Sequence, residues 1–395
     1  MSTREAVWEV ANRLGVVAGT PAELFSALLA GPRRTVRVPL PPDHALVRAL
    51  RPLGQVDLVA DRPPELPPAA PVDLGDPAAV CAADPVRVTR GYEADPDPRG
   101  GLRPAWLRAG QSLLRDQDPA ERALVLLAAL DGAADPRLAP ALARRAAGSA
   151  WRLASASREP CTALTTTPDG RLVVRADRVA AVACLPDGTQ AALDERGRLR
   201  VRGGPGGRLT DAVAATLDGH PATALAAAGG ALLTGDRMGT VHAFALAGLE
   251  QAGLHSGRVT ALTATATATA TTVYSGGADG TVRAWRPGLA PRRTPVTHRP
   301  YPVVALHAHA GGRLLAVAWA DGLAELHHLP GRRAVPFRPG PRVRAVAVTD
   351  DGSLAVGLDD AVLRLTEAEA EAVAGSGSGA GSGRGAPPGA GVSPQ

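Results

Sequence analysis

Hydrophobic and polar residues alternate in five segments of the second half of the chain, and each segment predicts a β-hairpin. The clearest is Val273–Arg286, which reads VYSGGADGTVRAWR. β-Branched and aromatic residues favour strands on both sides of a turn at Gly276–Gly280, where Asp-Gly supplies the positive φ that a tight hairpin needs. The other hairpins are Leu193–Arg202, Leu232–Phe244, Leu315–His328 and Leu354–Leu365. A single hairpin is not stable in water, so the five are expected to pack together.

The five hairpins recur at a regular spacing. Their turn positions lie 38 to 42 residues apart, at Gly197, Gly239, Gly280, Gly322 and Asp360. An apolar alternating run precedes each hairpin, and these runs begin at Val179, Ala222, Val259, Val303 and Val343. Four strands in about 40–45 residues are typical of one propeller blade, and a blade buries its faces only against its neighbours. The pattern therefore predicts a mainly β protein in which residues 161–367 form one β-propeller domain.

The third unit resembles a repeat of the WD-repeat β-propeller family. Such a repeat has a His before its first strand, a Ser or Thr on the second, an Asp in the next turn and a Trp on the third. The residues at these positions are His255, Ser275, Asp279 and Trp285. The resemblance implies that these side chains hydrogen-bond to one another as a structural tetrad. Elsewhere the Trp position holds Arg202, Phe244, His327 and Leu365. The resemblance, to a divergent bacterial member, covers roughly residues 179–367.

The first part of the chain predicts an α/β region followed by helices. Within residues 1–94, the expected helices are Arg4–Leu14, Thr20–Ala30 and Asp43–Leu50, and the expected strands are Thr35–Leu40 and Gln55–Ala60, with Ala79–Ala82 as a candidate third. Residues 102–152 predict a helical hairpin or three-helix segment, since Asp118 and Asp135 each precede Pro at a helix start. The role of residues 1–150 is open at this stage.

Three further segments bear on how the ring closes. Cys161–Arg178 predicts a strand pair that is either a truncated blade or a donor of strands to the ring. Either the ring is smaller than the seven blades common in the family, or upstream strands complete it. The Thr263–Thr272 run is expected to lengthen a loop, and residues 374–395 are expected to form a disordered Gly/Ser/Pro tail.

The charge pattern gives little support for nucleic acid as a partner. The net charge is +5, but every one of the 43 basic residues is Arg, which indicates a GC-rich coding sequence. These arginines are mixed with acids, and aromatic residues that stack on bases are scarce in the Arg-rich segments Arg196–Arg208 and Arg332–Arg344. The N-terminus has no apolar signal region, and no stretch is long enough to span a membrane. We expect a cytoplasmic bacterial protein.

Candidate chemistry is sparse. Cys81, Cys161 and Cys184 have no metal-ligand spacing. Five histidines cluster late in the chain, at His298, His307, His309, His327 and His328. His307 and His309 could share a strand face and bind a metal with His327, but no carboxylate or Cys joins them at ligand spacing. Ser275 has His and Asp partners in the resemblance, where the set is structural and not a catalytic triad. We expect no catalytic residues, no metal and no cofactor.

Two functions remain as hypotheses. The first is a non-enzymatic protein-interaction scaffold, because loops on a rigid repeat frame carry binding surfaces. The alternative is a propeller enzyme, or a small-ligand or metal-binding protein, with a site in the central channel. Such a site needs inward carboxylates or histidines from several blades, whereas the predicted inner strands are rich in Ala, Val and Leu. The sequence thus favours protein partners and leaves their identity and the blade count open.

Overall fold

The computed structural model describes residues 3–31, 34–38, 40–54, 56–60, 71–204, 207–267 and 270–368. Over these residues the protein is mainly β: a five-bladed β-propeller follows an α/β module and a group of helices. The tail predicted over residues 374–395 lies outside the described residues.

The N-terminal module is a small α/β unit. Its elements are α1 (Thr3–Leu14), α2 (Pro21–Leu29), β1 (Arg34–Val38), α3 (Ala45–Leu50) and β2 (Val56–Ala60). β1 and β2 pair in parallel, and α3 connects them in the chain as the helix of a β-α-β unit. Thr20 caps α2: its Oγ1 accepts from the Glu23 N–H at 3.2 Å, and the Glu23 carboxylate accepts from the Thr20 N–H at 3.2 Å.

Five helices follow, and they begin earlier than the sequence predicts. They are α4 (Pro77–Ala82), α5 (Pro85–Ala94), α6 (Leu102–Leu113), α7 (Pro119–Ala129) and α8 (Leu138–Arg145). The candidate strand at Ala79–Ala82 is wrong, because Asp76 caps a helix there by accepting from the N–H groups of Ala78 and Ala79. Cys81 and Tyr92 are buried with α6 and α7 in one core. Residues 77–94 therefore belong to the core of the later helices, and Arg90 of α5 also pairs with Glu5 of α1 at 3.1 Å.

The propeller comprises five blades and one two-stranded sheet. In chain order, the strands before the first blade are β3 (Trp151–Ser157), β4 (Ala163–Thr166) and β5 (Leu172–Arg175). Blade 1 contains β6 (Val179–Cys184), β7 (Gln190–Asp194) and β8 (Leu199–Arg202). After helix α9 (Arg208–Gly219), blade 2 contains β9 (Ala224–Ala228), β10 (Ala231–Gly235), β11 (Thr240–Ala245) and β12 (Gly248–Gly253). Each hairpin predicted from the sequence provides two neighbouring strands of one blade.

The other three blades each have four strands. Blade 3 contains β13 (Val259–Ala266), β14 (Thr271–Gly277), β15 (Thr281–Trp285) and β16 (Thr297–His298). Blade 4 contains β17 (Val303–Ala308), β18 (Leu314–Trp319), β19 (Ala324–His328) and β20 (Arg333–Phe337). Blade 5 contains β21 (Val343–Val348), β22 (Leu354–Leu358) and β23 (Val362–Glu367), and β3 is its outer strand.

The ring closes with a strand from upstream. β3 pairs antiparallel with β23, with Ser157 opposite Val362 and Leu153 opposite Leu365. The inner strands follow one another round the ring as β4, β6, β9, β13, β17 and β21, and β21 returns to β4. The propeller therefore begins at Trp151 and not at residue 161, and β4–β5 occupies a ring position of its own as a truncated blade.

Two segments differ from the sequence predictions. The Thr263–Thr272 run was expected in a loop, but most of it lies in β13 and β14, where Thr265 is opposite Thr272. Successive side chains of a strand point to opposite faces of the sheet, so alternating Thr and Ala place the β-branched Thr residues on one face. Helix α9 was not predicted. It packs between blades 1 and 2 through buried Val213 and Leu217.

Helix α6 joins the N-terminal parts to the propeller. Ala109 of α6 lies against Gly340, where an added Cβ would come 2.6 Å from the Ala109 Cα. The Ser112 hydroxyl donates to the Arg338 carbonyl at 2.8 Å, and the Arg108 guanidinium donates to Asp360 at 2.6 Å. On its other side, α6 receives the Trp8 ring of α1 at Gly110. The helices and blades 4 and 5 consequently share one hydrophobic core.

Candidate functional site

The predicted tetrad of blade 3 is partly assembled. His255 Nε2 lies 2.8 Å from Ser275 Oγ, and His255 Nδ1 lies 3.1 Å from Asp279 Oδ1. Asp279 also accepts from the Thr281 N–H at 3.0 Å. Burial lowers the pKa of His255, and the Asp279 charge opposes this without reversing it. Ser275 is fully buried, so no substrate can reach its hydroxyl. The three side chains hold the turn between β14 and β15 against the loop that precedes β13.

Trp285 does not join the other three side chains. Its indole N–H donates to the Leu289 carbonyl at 2.9 Å. The strand register explains the difference, because Trp285 is opposite Val273 whereas Arg283 is opposite Ser275. Trp285 is 4 % exposed and belongs to the core between blades 2 and 3. The expectation of four mutually bonded side chains is therefore corrected: His255 joins Ser275 and Asp279, and Trp285 is a separate packing residue.

Blade 4 holds a second polar cluster that the sequence reasoning missed. Asp321 directly precedes the turn residue Gly322, as Asp279 precedes Gly280. Asp321 is buried and accepts from Arg299 at 3.0 Å and from Arg338 at 2.9 Å. Arg299 also lies over the Trp319 ring, 5.6 Å from its centroid. Arg299 stands four residues before the first strand of its blade, the same spacing as His255. This spacing is the sequence signal that could have revealed the cluster. In blade 4, the Arg299–Asp321 ion pair takes the place of the His255–Asp279 contact of blade 3.

The central channel forms a cavity of about 340 Å³. The inner strands line it mainly with Ala, Thr, Val and Leu side chains, as expected from the sequence. His307 is the buried ionisable residue in this wall. Its Nδ1 accepts from the Val348 N–H at 3.1 Å, so Nε2 carries the proton and donates to Thr166 Oγ1 at 3.3 Å. His307 thus connects blade 4 to blade 5 and to the truncated blade.

The histidines predicted as an alternative metal site are separated. His307 has the partners just described, whereas His327 Nε2 contacts the Glu325 carboxylate at 3.2 Å and His328 Nε2 contacts Glu367 at 2.8 Å. Within the described ranges, no group of three or more His, Cys, Asp and Glu residues is placed to hold a metal ion. Burial raises the pKa of Cys81 to about 11 and that of Cys161 to about 12, so both thiols are protonated at neutral pH.

An apolar groove lies on the outer part of blade 2, and we call it the α9 groove. Its volume is about 540 Å³, and its apolar walls come from the end of α9 and from blade 2: Leu217, Pro221, Ala222, Met238, Phe244 and Leu249. Met238 is 81 % exposed and Leu249 is 54 % exposed. Phe244 and Leu249 are opposite each other on β11 and β12. His242 contacts Asp236 at 3.2 Å beside them. The hairpin was predicted from the sequence, whereas the helix that forms the second wall was not.

Comparison with known proteins identifies no family. No protein-family model matches the chain, and no curated protein matches it. Among solved structures, the chain is similar to the computationally designed Ika8 protein, with 19% identity over 52% of this chain and 70% of that one and a TM-score of 0.37. It is also similar to a chain of the Mitotic Checkpoint Complex, with 15% identity over 55% of this chain and 95% of that one and a TM-score of 0.37. Such low scores add nothing to the fold described above.

Among the described residues, no helix has both the length and the apolar character that a crossing of the bilayer requires.

Proposed function

We propose that the protein is a non-enzymatic interaction scaffold of the WD-repeat type, which binds a protein partner through the α9 groove. The observation that carries the proposal is the exposure of Met238 and Leu249 at the rim of an apolar groove on a rigid blade. Large apolar side chains grouped at one exposed site are a common mark of protein-binding surfaces.

The groove is built on elements that do not depend on a partner for their position. β10, β11 and β12 belong to a four-stranded blade, and α9 is anchored by buried Val213 and Leu217. A preformed site loses little conformational freedom on binding, which favours affinity. The partner we expect is a protein segment that inserts one or two apolar side chains between Phe244 and α9.

A non-enzymatic role is supported by the placement of the reactive groups. Ser275 is inaccessible, and the buried thiols of Cys81 and Cys161 have raised pKa values. In the channel wall, His307 uses both ring nitrogens in hydrogen bonds to the protein. A catalytic base needs a free lone pair within reach of its substrate. The central cavity still supports the alternative of a small-ligand protein, and the experiment below separates the two.

The test places a photo-crosslinking amino acid, p-benzoylphenylalanine, at Met238 of the full chain in cells of the source organism. Leu29 of α2 is the matched control, since it is also exposed and apolar but lies in the N-terminal module. We expect one protein cross-linked at position 238 and not at position 29. With that purified partner, Met238→Asp should weaken binding about tenfold to a hundredfold, because burying one apolar side chain contributes about 1.5–3 kcal/mol.

Two results would refute the proposal. One is the same set of cross-linked proteins at both positions. The other is a partner whose affinity is unchanged by Met238→Asp. A small molecule that copurifies with the protein and is displaced by a bulky substitution in the channel would instead support the alternative.

A further inference from the structure

The truncated blade leaves a free strand edge in the ring. Its sheet ends at β5, and the three residues 176–178 connect β5 directly to the inner strand β6 of blade 1. Both neighbours have a third strand at this distance from the channel, β23 in blade 5 and β8 in blade 1. Among the described residues, none forms a third strand beside β5. Within the described ranges, a position that its neighbours fill is therefore open along the outer side of Leu172–Arg175.

The backbone of β5 is suited to pair with another strand. Its register with β4 has no bulge, and the Thr167 N–H donates to the Arg171 carbonyl at 2.9 Å. Hydrogen bonds of antiparallel pairs alternate, so Leu172 and Val174 direct their N–H and C=O groups to the free edge. Val174 is 37 % exposed, and the strand has no Pro of the kind that protects natural edges.

Arginines lie on both sides of the open position. Arg200 and Arg202 of β8 project from blade 1, where Arg200 lies 3.4 Å from Asp194 and Arg202 lies 3.4 Å from Asp177. Asp177 already binds Arg175 at 2.6 Å, so two arginines share one carboxylate. On the other side, Arg364 of β23 is on the face of blade 5 that turns to the truncated blade, and Asp351 neutralises it at 2.6 Å. On the blade 1 side, Arg175, Arg200 and Arg202 outnumber Asp177 and Asp194, so the excess positive charge favours acidic side chains on that face of an inserted strand.

We propose that the free edge of β5 binds an extended polypeptide segment with acidic side chains, which pairs with it as the missing third strand. Backbone hydrogen bonds to Leu172 and Val174 supply the pairing, and the arginines of β5 and β8 select the charge. This surface is separate from the α9 groove and does not depend on it.

The probe for this site is a displayed library of random eight-residue peptides, selected on the immobilised full chain. We expect the enriched peptides to be rich in Asp, Glu and β-branched residues. Val174→Pro removes an N–H of the free edge and should weaken their binding at least tenfold, whereas Val174→Ala should leave it within twofold. Met238→Asp, which tests the α9 groove, should not change it. Binding should also weaken as the salt concentration rises.

A second measurement covers the case in which Val174→Pro disturbs the fold. The best peptide is synthesised with and without N-methyl groups on its backbone, and both forms are tested on the unmodified protein. We expect N-methylation to abolish binding, and we expect the unmethylated peptide to slow hydrogen exchange at residues 172–175. If no acidic peptide is enriched, or if N-methylated and unmodified peptides bind equally, the proposal is wrong.

Discussion

The stability of the ring should depend on pH through His307. In the folded protein, burial lowers the pKa of this imidazole from 6.5 to about 4, and nearby His309 adds to the effect. Nδ1 accepts a hydrogen bond from the Val348 N–H, so protonation of this nitrogen breaks the contact between blades 4 and 5.

The sign and size of the effect follow from proton linkage. The unfolded chain binds a proton at His307 near pH 6.5, whereas the folded chain resists it until about pH 4. The stabilisation that neutral His307 gives the folded protein is therefore complete above about pH 6.5 and is lost as the pH falls towards 4. One pKa unit corresponds to about 1.4 kcal/mol, so the loss across this window is about 3 kcal/mol.

The assay is urea denaturation of the full chain between pH 4.5 and pH 7.5, followed by Trp fluorescence. His307→Asn is the comparison, because the Asn Oδ1 can accept from the Val348 N–H and does not titrate in this range. Between pH 7 and pH 4.5 the original protein should lose about 2–3 kcal/mol more than the variant. The titration of carboxylates changes the free energy of unfolding of both proteins equally, so it does not contribute to the difference between them. Parallel pH profiles for the two proteins would refute the account of His307.

Three other substitutions test the packing. Trp285→Ala should reduce the free energy of unfolding by about 3–5 kcal/mol in urea, since it empties the core between blades 2 and 3; a loss under about 1 kcal/mol would contradict this. Gly340→Ala should cost about 2 kcal/mol or more, because its Cβ meets Ala109, whereas Gly188→Ala, also at positive φ but facing open space, should cost less. Asp321→Asn should lower stability by about 2–3 kcal/mol, because it removes the charge that two arginines share; an unchanged melting temperature would exclude this role.

The repeat was predictable because blades leave a strong local signal. Strand alternation and turn glycines such as Gly280 and Gly322 depend on residues close in sequence, and they located the hairpins correctly. The N-cap of α2 at Thr20 was likewise predictable, since Thr-Pro-Ala-Glu is a capping box in the sequence itself.

Ring closure was not predictable in the same way. β3 pairs with β23 across some 200 residues, and its sequence WRLASAS lacks a clear alternating pattern. The pairing partner of an edge strand depends on the whole ring and not on its own residues. The role of Trp285 also escaped prediction, because a motif match could not show that its indole N–H reaches Leu289.

The α9 groove was hidden from the sequence for a related reason. Met238 and Leu249 look like ordinary exposed residues until α9 is placed beside them, and the segment before blade 2 was not expected to be helical. Single exposed apolar residues are normal on protein surfaces, and their grouping is what carries meaning.

Quantitative affinity purification can show whether the protein is a scaffold that binds a protein partner through the α9 groove. The original full chain, Met238→Asp and Leu29→Asp serve as separate baits in lysate of the source organism, and mass spectrometry measures proteins and small molecules in each eluate. We expect one protein that is recovered with the original chain and with Leu29→Asp but is depleted at least tenfold with Met238→Asp. Equal recovery with all three baits, or a copurified small molecule without any specific protein, would contradict this proposal.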